Sequence, residues 1–120
     1  MNKTITLLLL LFFLAGCYYD NEEELYPTTN CDTSDMSYSS NILPIFQNYG
    51  CLTCHSNANP QGSVDLEGYN DVTTWVNNEK LLKSIQHAPD ASNMPKSQAK
   101  MAECDINKIE AWITNGAPNN

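Results

Sequence analysis

The chain has 120 residues, a length typical of one small domain, and a formal net charge of −8 at pH 7. Its 14 acidic residues outnumber six basic ones, all of which are lysines. This balance argues against nucleic acids and anionic lipid surfaces as partners, because both attract clustered positive charge.

Residues 1–16 have the pattern of an export signal. Lys3 makes the start positive, and an apolar run of about ten residues then leads to Leu14, followed by small residues. The run is shorter than the roughly 20 apolar residues that a membrane-spanning helix requires. We therefore predict a cleaved signal peptide, with an uncleaved membrane anchor as the alternative.

Leu14 to Cys17 reads Leu-Ala-Gly-Cys, which resembles the lipobox of bacterial lipoproteins. The resemblance implies cleavage before Cys17 and acyl chains on that residue, which would anchor the protein firmly. The expected location is a membrane surface facing the periplasm or the cell exterior. The alternative is a soluble exported protein in which Cys17 has no special role.

An acidic segment, residues 17–30, follows the signal. It contains several Asp and Glu residues and little that could be buried, so we predict a flexible tether. The folded domain is predicted to span residues 31–118, a length that supports only a thin hydrophobic core.

Hydrophobic spacing predicts three helices in this domain, over about 41–48, 79–86 and 104–115. Asn41 and Asn78 are the predicted N-caps of the first two helices. Gly116 follows the third, at the position where a left-handed residue commonly ends a helix. The intervening segments are rich in Gly, Asn, Ser and Pro and are predicted to be loops, with no strand.

Directly after the first predicted helix, Cys51 and Cys54 are three positions apart and His55 comes next. Two thiols at this spacing can form thioether bonds with the two vinyl groups of one haem, and the adjacent imidazole can then bind the iron. The motif therefore predicts one covalently bound haem c.

Three other kinds of site contain two cysteines at this spacing. A zinc site would need a second compact pair of ligands, whereas Cys31, Cys104 and His87 are scattered along the chain. A thioredoxin-like redox pair would follow a strand, and none is predicted there. The third alternative is a structural disulfide between the two cysteines of the motif.

From about residue 38 to 118 the chain resembles class I cytochromes c, and most of all small single-haem lipoproteins of that plan. Besides the haem motif, the resemblance rests on 42–46 (Ile-Leu-Pro-Ile-Phe), 66–69 (Leu-Glu-Gly-Tyr), Met94-Pro95 and 109–117 (Ile-Glu-Ala-Trp-Ile-Thr-Asn-Gly-Ala). It implies an all-α fold packed around one covalent haem, and packing of Phe46 against Trp112 where the first and last helices cross.

The second axial ligand of the iron is predicted to be Met94. Pro95 disfavours helix at Met94 and favours an extended loop, and the resemblance implies the same ligand. His87 is the rival, because imidazole is an equally suitable ligand. Met101 or an open position are further alternatives.

Cysteine accounting predicts a disulfide. With Cys17 lipidated and the two motif thiols on the haem, Cys31 and Cys104 remain as a pair in a compartment where disulfides persist.

The predicted function is electron transfer outside the cytoplasm, with redox proteins that carry basic docking surfaces as partners. No small-molecule substrate is expected, and the protein is not predicted to be an enzyme, because no general base, nucleophile or phosphate-binding loop is evident. A haem-based sensor with an exchangeable sixth position is one alternative. An electron-port subunit of a larger redox enzyme is the other.

Overall fold

The computed structural model of the protein describes residues 31–120, and this part of the chain is mostly helical, as predicted. In chain order its elements are a π-helical turn (Tyr38–Ile42), α1 (Leu43–Asn48), α2 (Cys51–Cys54), β1 (His55–Ser56), β2 (Asn59–Pro60), a 3₁₀ turn (Gln61–Ser63), α3 (Tyr69–Asn77), α4 (Lys80–Gln86) and α5 (Glu103–Thr114).

The predicted signal peptide (1–16), the lipid site at Cys17 and the tether (17–30) lie outside the described residues. Within residues 31–120, no helix is both long enough and apolar enough to cross a membrane.

The first helical segment starts earlier than predicted, and the prediction of Asn41 as its N-cap is wrong. Ser37 caps the π-helical turn, because its side chain accepts a hydrogen bond from the N–H of Ser40. The side chain of Asn41 instead accepts the N–H of Ser37, at 2.9 Å. The serine-rich run resembles a loop in sequence, but its Tyr38 is only 7% exposed, and burial of that ring explains the extra helical turn.

Two segments that were predicted as loops contain regular structure. α3 was missed because most of its residues are polar, and Val72 is its only buried residue. β1 and β2 form an antiparallel pair with His55 opposite Pro60 and Ser56 opposite Asn59. Strands of two residues are too short for an alternating pattern to reveal them.

The hydrophobic core collects the buried faces of the helices. Its largest fully buried side chains are Trp112, Phe46, Ile42, Ile106, Ile109 and Val72. Phe46 and Trp112 thus belong to one buried cluster. The indole N–H of Trp112 donates to the carbonyl oxygen of Pro118 at 3.0 Å, so the buried ring leaves no unpaired polar atom.

The end of α5 confirms the prediction for Gly116. This residue has φ +89°, and the N–H groups of Gly116 and Ala117 donate to the carbonyl oxygens of Ile113 and Trp112, both at 2.9 Å. These two bonds form a Schellman motif. The motif requires one residue in the left-handed backbone conformation, which glycine adopts without strain. The turn directs the following residues back toward the first helical segment, where the carbonyl oxygen of Asn120 accepts the N–H of Ser39 at 3.0 Å.

Cys31 and Cys104 lie at disulfide-bonding distance, with their sulfur atoms 2.09 Å apart across a sequence separation of 73. The bridge joins the segment before the first helical turn to the first turn of α5.

We predict that this bridge is formed in the exported protein and stabilises it. Alkylation of the unfolded, unreduced protein, followed by peptide mapping, should leave Cys31 and Cys104 unlabelled. Closing a loop of this length restricts the unfolded chain and is worth about 4 kcal/mol. The double variant Cys31→Ser/Cys104→Ser should therefore melt at a lower temperature, and reduced wild-type protein should match it. Labelling of both residues, or an unchanged melting temperature, would contradict the prediction.

Candidate functional site

A left-handed turn at Gly50 determines where the two motif cysteines lie. α1 ends at Asn48, and Gly50, with φ +66°, is the N-cap of α2. There is space for a side chain at this position, since an added Cβ would lie 3.8 Å from the nearest atom. The backbone conformation is therefore what favours glycine here. Cys51 and Cys54 are the first and last residues of α2, a three-residue spacing that places them on one side of the helix.

The two motif cysteines are free thiols and are not bonded to each other. Both are half-buried, and burial raises the pKa of the Cys51 thiol above its ordinary value, so that this group is protonated at neutral pH. Among residues 31–120, no group of three or more His, Cys, Asp or Glu side chains is placed to hold a metal ion. The pairing of Cys31 with Cys104 also removes these two residues as partners for a zinc site.

His55 is oriented by the segment that passes beside it. Its Nδ1 lies 3.2 Å from the carbonyl oxygen of Val64, and because a carbonyl only accepts, Nδ1–H is the donor. The backbone carbonyl of His55 in turn accepts the N–H of Leu66 at 2.8 Å, and Leu66 is buried in the core. A neutral imidazole that donates through Nδ1 keeps the lone pair of Nε2 available for a metal.

Met94 differs from the other methionines of the described chain in its exposure. Met36 and Met101 are buried in the core. Met94 is half-exposed on the segment between α4 and α5 and precedes Pro95 through a cis peptide bond. Its thioether is therefore the only one of the three that does not form part of the core.

The other proposed axial ligand, His87, lies next to Met94. Its Nε2 is 3.0 Å from the carbonyl oxygen of Met94, so Nε2–H donates to that oxygen. The nitrogen that most simply reaches an iron atom is thus engaged in a hydrogen bond.

Tyr49 is a contributor that the sequence analysis missed. Its hydroxyl donates to Oδ2 of Asp105 at 3.0 Å and accepts the N–H of Ala102 at 2.9 Å. Burial raises the pKa of Tyr49, which keeps the phenol protonated as a donor. These bonds fasten the residue two positions before Cys51 to the start of α5. No local pattern predicts them, because the partners are more than 50 positions away.

Apolar side chains at the edge of the core stay partly exposed. They include Leu52, Val64, Trp75, Val76 and Leu82. The ammonium group of Lys80 lies over the Trp75 ring, 5.7 Å from its centroid. Covering exposed apolar surface of this kind stabilises a protein by about 25 cal/mol per Å².

The donor set fits a covalently bound haem. It consists of two unpaired thiols on one side of a short helix, an adjacent imidazole with Nε2 available, and a half-exposed thioether. Comparison of the chain with models of protein families, with curated proteins and with solved structures found no match.

We predict that the hydroxyl of Tyr49 stabilises the domain and that the hydroxyl of Tyr38 does not. Tyr49→Phe removes two hydrogen bonds and should cost about 1–2 kcal/mol of unfolding free energy. The hydroxyl of Tyr38 is buried and has no partner among the described residues, so Tyr38→Phe should be neutral or stabilising. Urea unfolding of the two variants measures both effects.

The Tyr38→Phe control keeps an aromatic ring in the core, where Tyr38 packs against Tyr69 and Trp112. An equal loss of unfolding free energy in the two variants would show that the hydrogen bonds of Tyr49 do not stabilise the domain.

Proposed function

We propose that the protein carries electrons outside the cytoplasm as a small c-type cytochrome, with one haem bound by Cys51, Cys54 and His55. The observation that carries this proposal is the arrangement of these three residues. Two free thiols on one side of α2 are followed at once by an imidazole whose Nδ1 is bonded to the Val64 carbonyl.

In this proposal each residue has a separate role. Cys51 and Cys54 would hold the haem covalently, each through a thioether bond to one of its vinyl groups. His55 would bind the iron through Nε2, and its hydrogen bond to the Val64 carbonyl sets the tautomer and would make the imidazole a stronger ligand. The haem, when bound, supplies a reversible one-electron change at its iron.

Met94 is proposed as the second axial ligand. Its backbone N–H and carbonyl are both hydrogen-bonded to the end of α4, to the Ser84 carbonyl at 3.1 Å and to His87 at 3.0 Å. A ligand loop that is held in this way favours a closed sixth position. A closed position supports electron transfer over the alternative of a ligand sensor, which needs an exchangeable site.

The charge of the domain supports partners with basic docking surfaces. Lys83, Lys100 and Lys108 each lie within ion-pair distance of a carboxylate on the same chain. These pairs neutralise most of the positive charge locally, so the excess of acidic residues dominates the long-range field. Such a field accelerates association with positively charged surfaces.

Covalent haem is the first prediction of this proposal. The full chain, expressed with a c-type maturation system, should give a band that stains for haem peroxidase activity after denaturing electrophoresis. Cys51→Ser/Cys54→Ser should lose the stain, because no thioether can form. Cys31→Ser/Cys104→Ser replaces the same number of cysteines and should keep the stain. A haem-free wild-type protein would refute the proposed function.

Ligation by Met94 is a separate prediction. The oxidised protein should show the weak near-infrared band that arises from sulfur bound to ferric iron. The band should vanish in Met94→Ala and survive in His87→Ala and in Met101→Leu, which conserves core volume. Loss of the band in His87→Ala alone would contradict the assignment. Equilibrium binding of carbon monoxide by the reduced wild type would favour the sensor alternative.

Membrane anchoring through Cys17 is proposed from the lipobox resemblance. Mass spectrometry of the mature protein should find an N-terminus at Cys17 with added acyl mass. Cys17→Ser should move the protein from the membrane fraction to the soluble fraction, because the acyl chains supply the anchor. A Cys17→Ser protein that stays in the membrane fraction would count against this anchor.

A further inference from the structure

Two hydrogen bonds fasten the backbone of Met94 to the end of α4. The N–H of Met94 donates to the carbonyl oxygen of Ser84 at 3.1 Å, and its carbonyl oxygen accepts Nε2–H of His87 at 3.0 Å. Because both partners belong to one helix end, these bonds hold Met94 from both sides of its α-carbon.

His87 is itself held in place by the way α4 ends. It is the C-cap residue, in the left-handed conformation with φ +59° and ψ +41°. Its N–H donates to the Ser84 carbonyl at 3.3 Å, and the N–H of Ala88 donates to the Lys83 carbonyl at 2.9 Å. Histidine adopts this backbone conformation more readily than most residues. The helix is anchored in turn by Leu81 and Ile85, which are buried in the core.

Other contacts of the segment between α4 and Met94 are weaker. Asp90 pairs with Lys83 at 3.2 Å, but the two side chains are 66% and 42% exposed, and solvent-exposed pairs contribute little. The N–H of Ala91 bonds only within the segment, to the Ala88 carbonyl. The hydrogen bonds to Ser84 and His87 are therefore the main contacts that hold Met94 against the end of α4.

We infer that His87 is a positioning residue for the sixth ligand: its Nε2–H holds the Met94 carbonyl and thereby keeps the Met94 thioether directed to the haem iron. This role rests on the proposed function. It also accounts for the presence of an imidazole beside Met94 without ligation, because the same Nε2 cannot both donate a proton to a carbonyl and bind a metal.

Loss of this hydrogen bond should make Met94 easier to displace from iron. The direct readout is the affinity of the oxidised holoprotein for added imidazole, which competes with the thioether for the sixth position. His87→Leu, which lacks a donor, should raise that affinity by about two- to tenfold, the range expected for the net contribution of one hydrogen bond. His87→Gln offers an amide donor from the same backbone position and should stay close to wild type.

Asp90→Asn is the matched control. It removes the Lys83 ion pair from the same segment without touching Met94, and it should leave the imidazole affinity unchanged. An unchanged affinity in His87→Leu, or an equal rise in His87→Gln, would overturn the inference. A sulfur-to-iron band that is absent from wild type and gained in His87→Leu would also overturn it, because His87 would then be the ligand.

Hydrogen exchange at the Met94 amide separates this inference from the proposed function. The N–H of Met94 should exchange faster in His87→Leu than in His87→Gln, since the loop opens more often without the donor. A protein that carries no haem would refute the proposed function, and the exchange rates would still show whether His87 holds the loop. Equal exchange rates in a haem-loaded protein would refute the positioning role alone.

Discussion

The position of the candidate site depends on the two hydrogen bonds that the hydroxyl of Tyr49 forms. They join the residue just before the Gly50 turn to Ala102 and Asp105 at the start of α5. Beside it, Cys104 is at bonding distance from Cys31. The first turn of α5 thus holds both the segment that leads into the domain and the segment that leads into α2. Because these ties converge on one helix end, a shift of α5 would move the motif cysteines with it.

The segments of the other candidate ligands are also held by hydrogen bonds, each between a histidine ring and a backbone carbonyl several residues along the chain. His55 is oriented by the Val64 carbonyl, and the Met94 carbonyl is held by the ring of His87. Such ties suit a chain of this size. A thin core cannot bury every loop, so loops are held by hydrogen bonds to fixed helix ends and to residues such as Leu66 that are buried.

Hydrophobic spacing predicted the helices whose apolar residues recur on one face. Short motifs identified the residues that are the candidate ligands. α4 and α5 lie within one residue of their predicted ranges, and the turn at Gly116 followed from glycine's conformational freedom. α3 was not predicted because most of its residues are polar and it buries only Val72. The sequence also did not predict the hydrogen-bond partners that orient the candidate ligands. A carbonyl such as that of Val64 is present at every position, so only the folded chain reveals which one His55 meets.

The proposed haem links the energetics of folding to the function. Apolar side chains such as Leu52, Trp75 and Leu82 stay partly exposed at the edge of the core. A covalently attached apolar macrocycle would cover surface of this kind, and each buried Å² would add to stability. Because two thioether bonds would attach the haem covalently, this surface would stay buried. The cysteines of α2 would then contribute to stability as well as to cofactor binding. On this proposal, a domain with a small core could carry a ligand such as Met94 on a loop, because the bound cofactor would supply part of the packing.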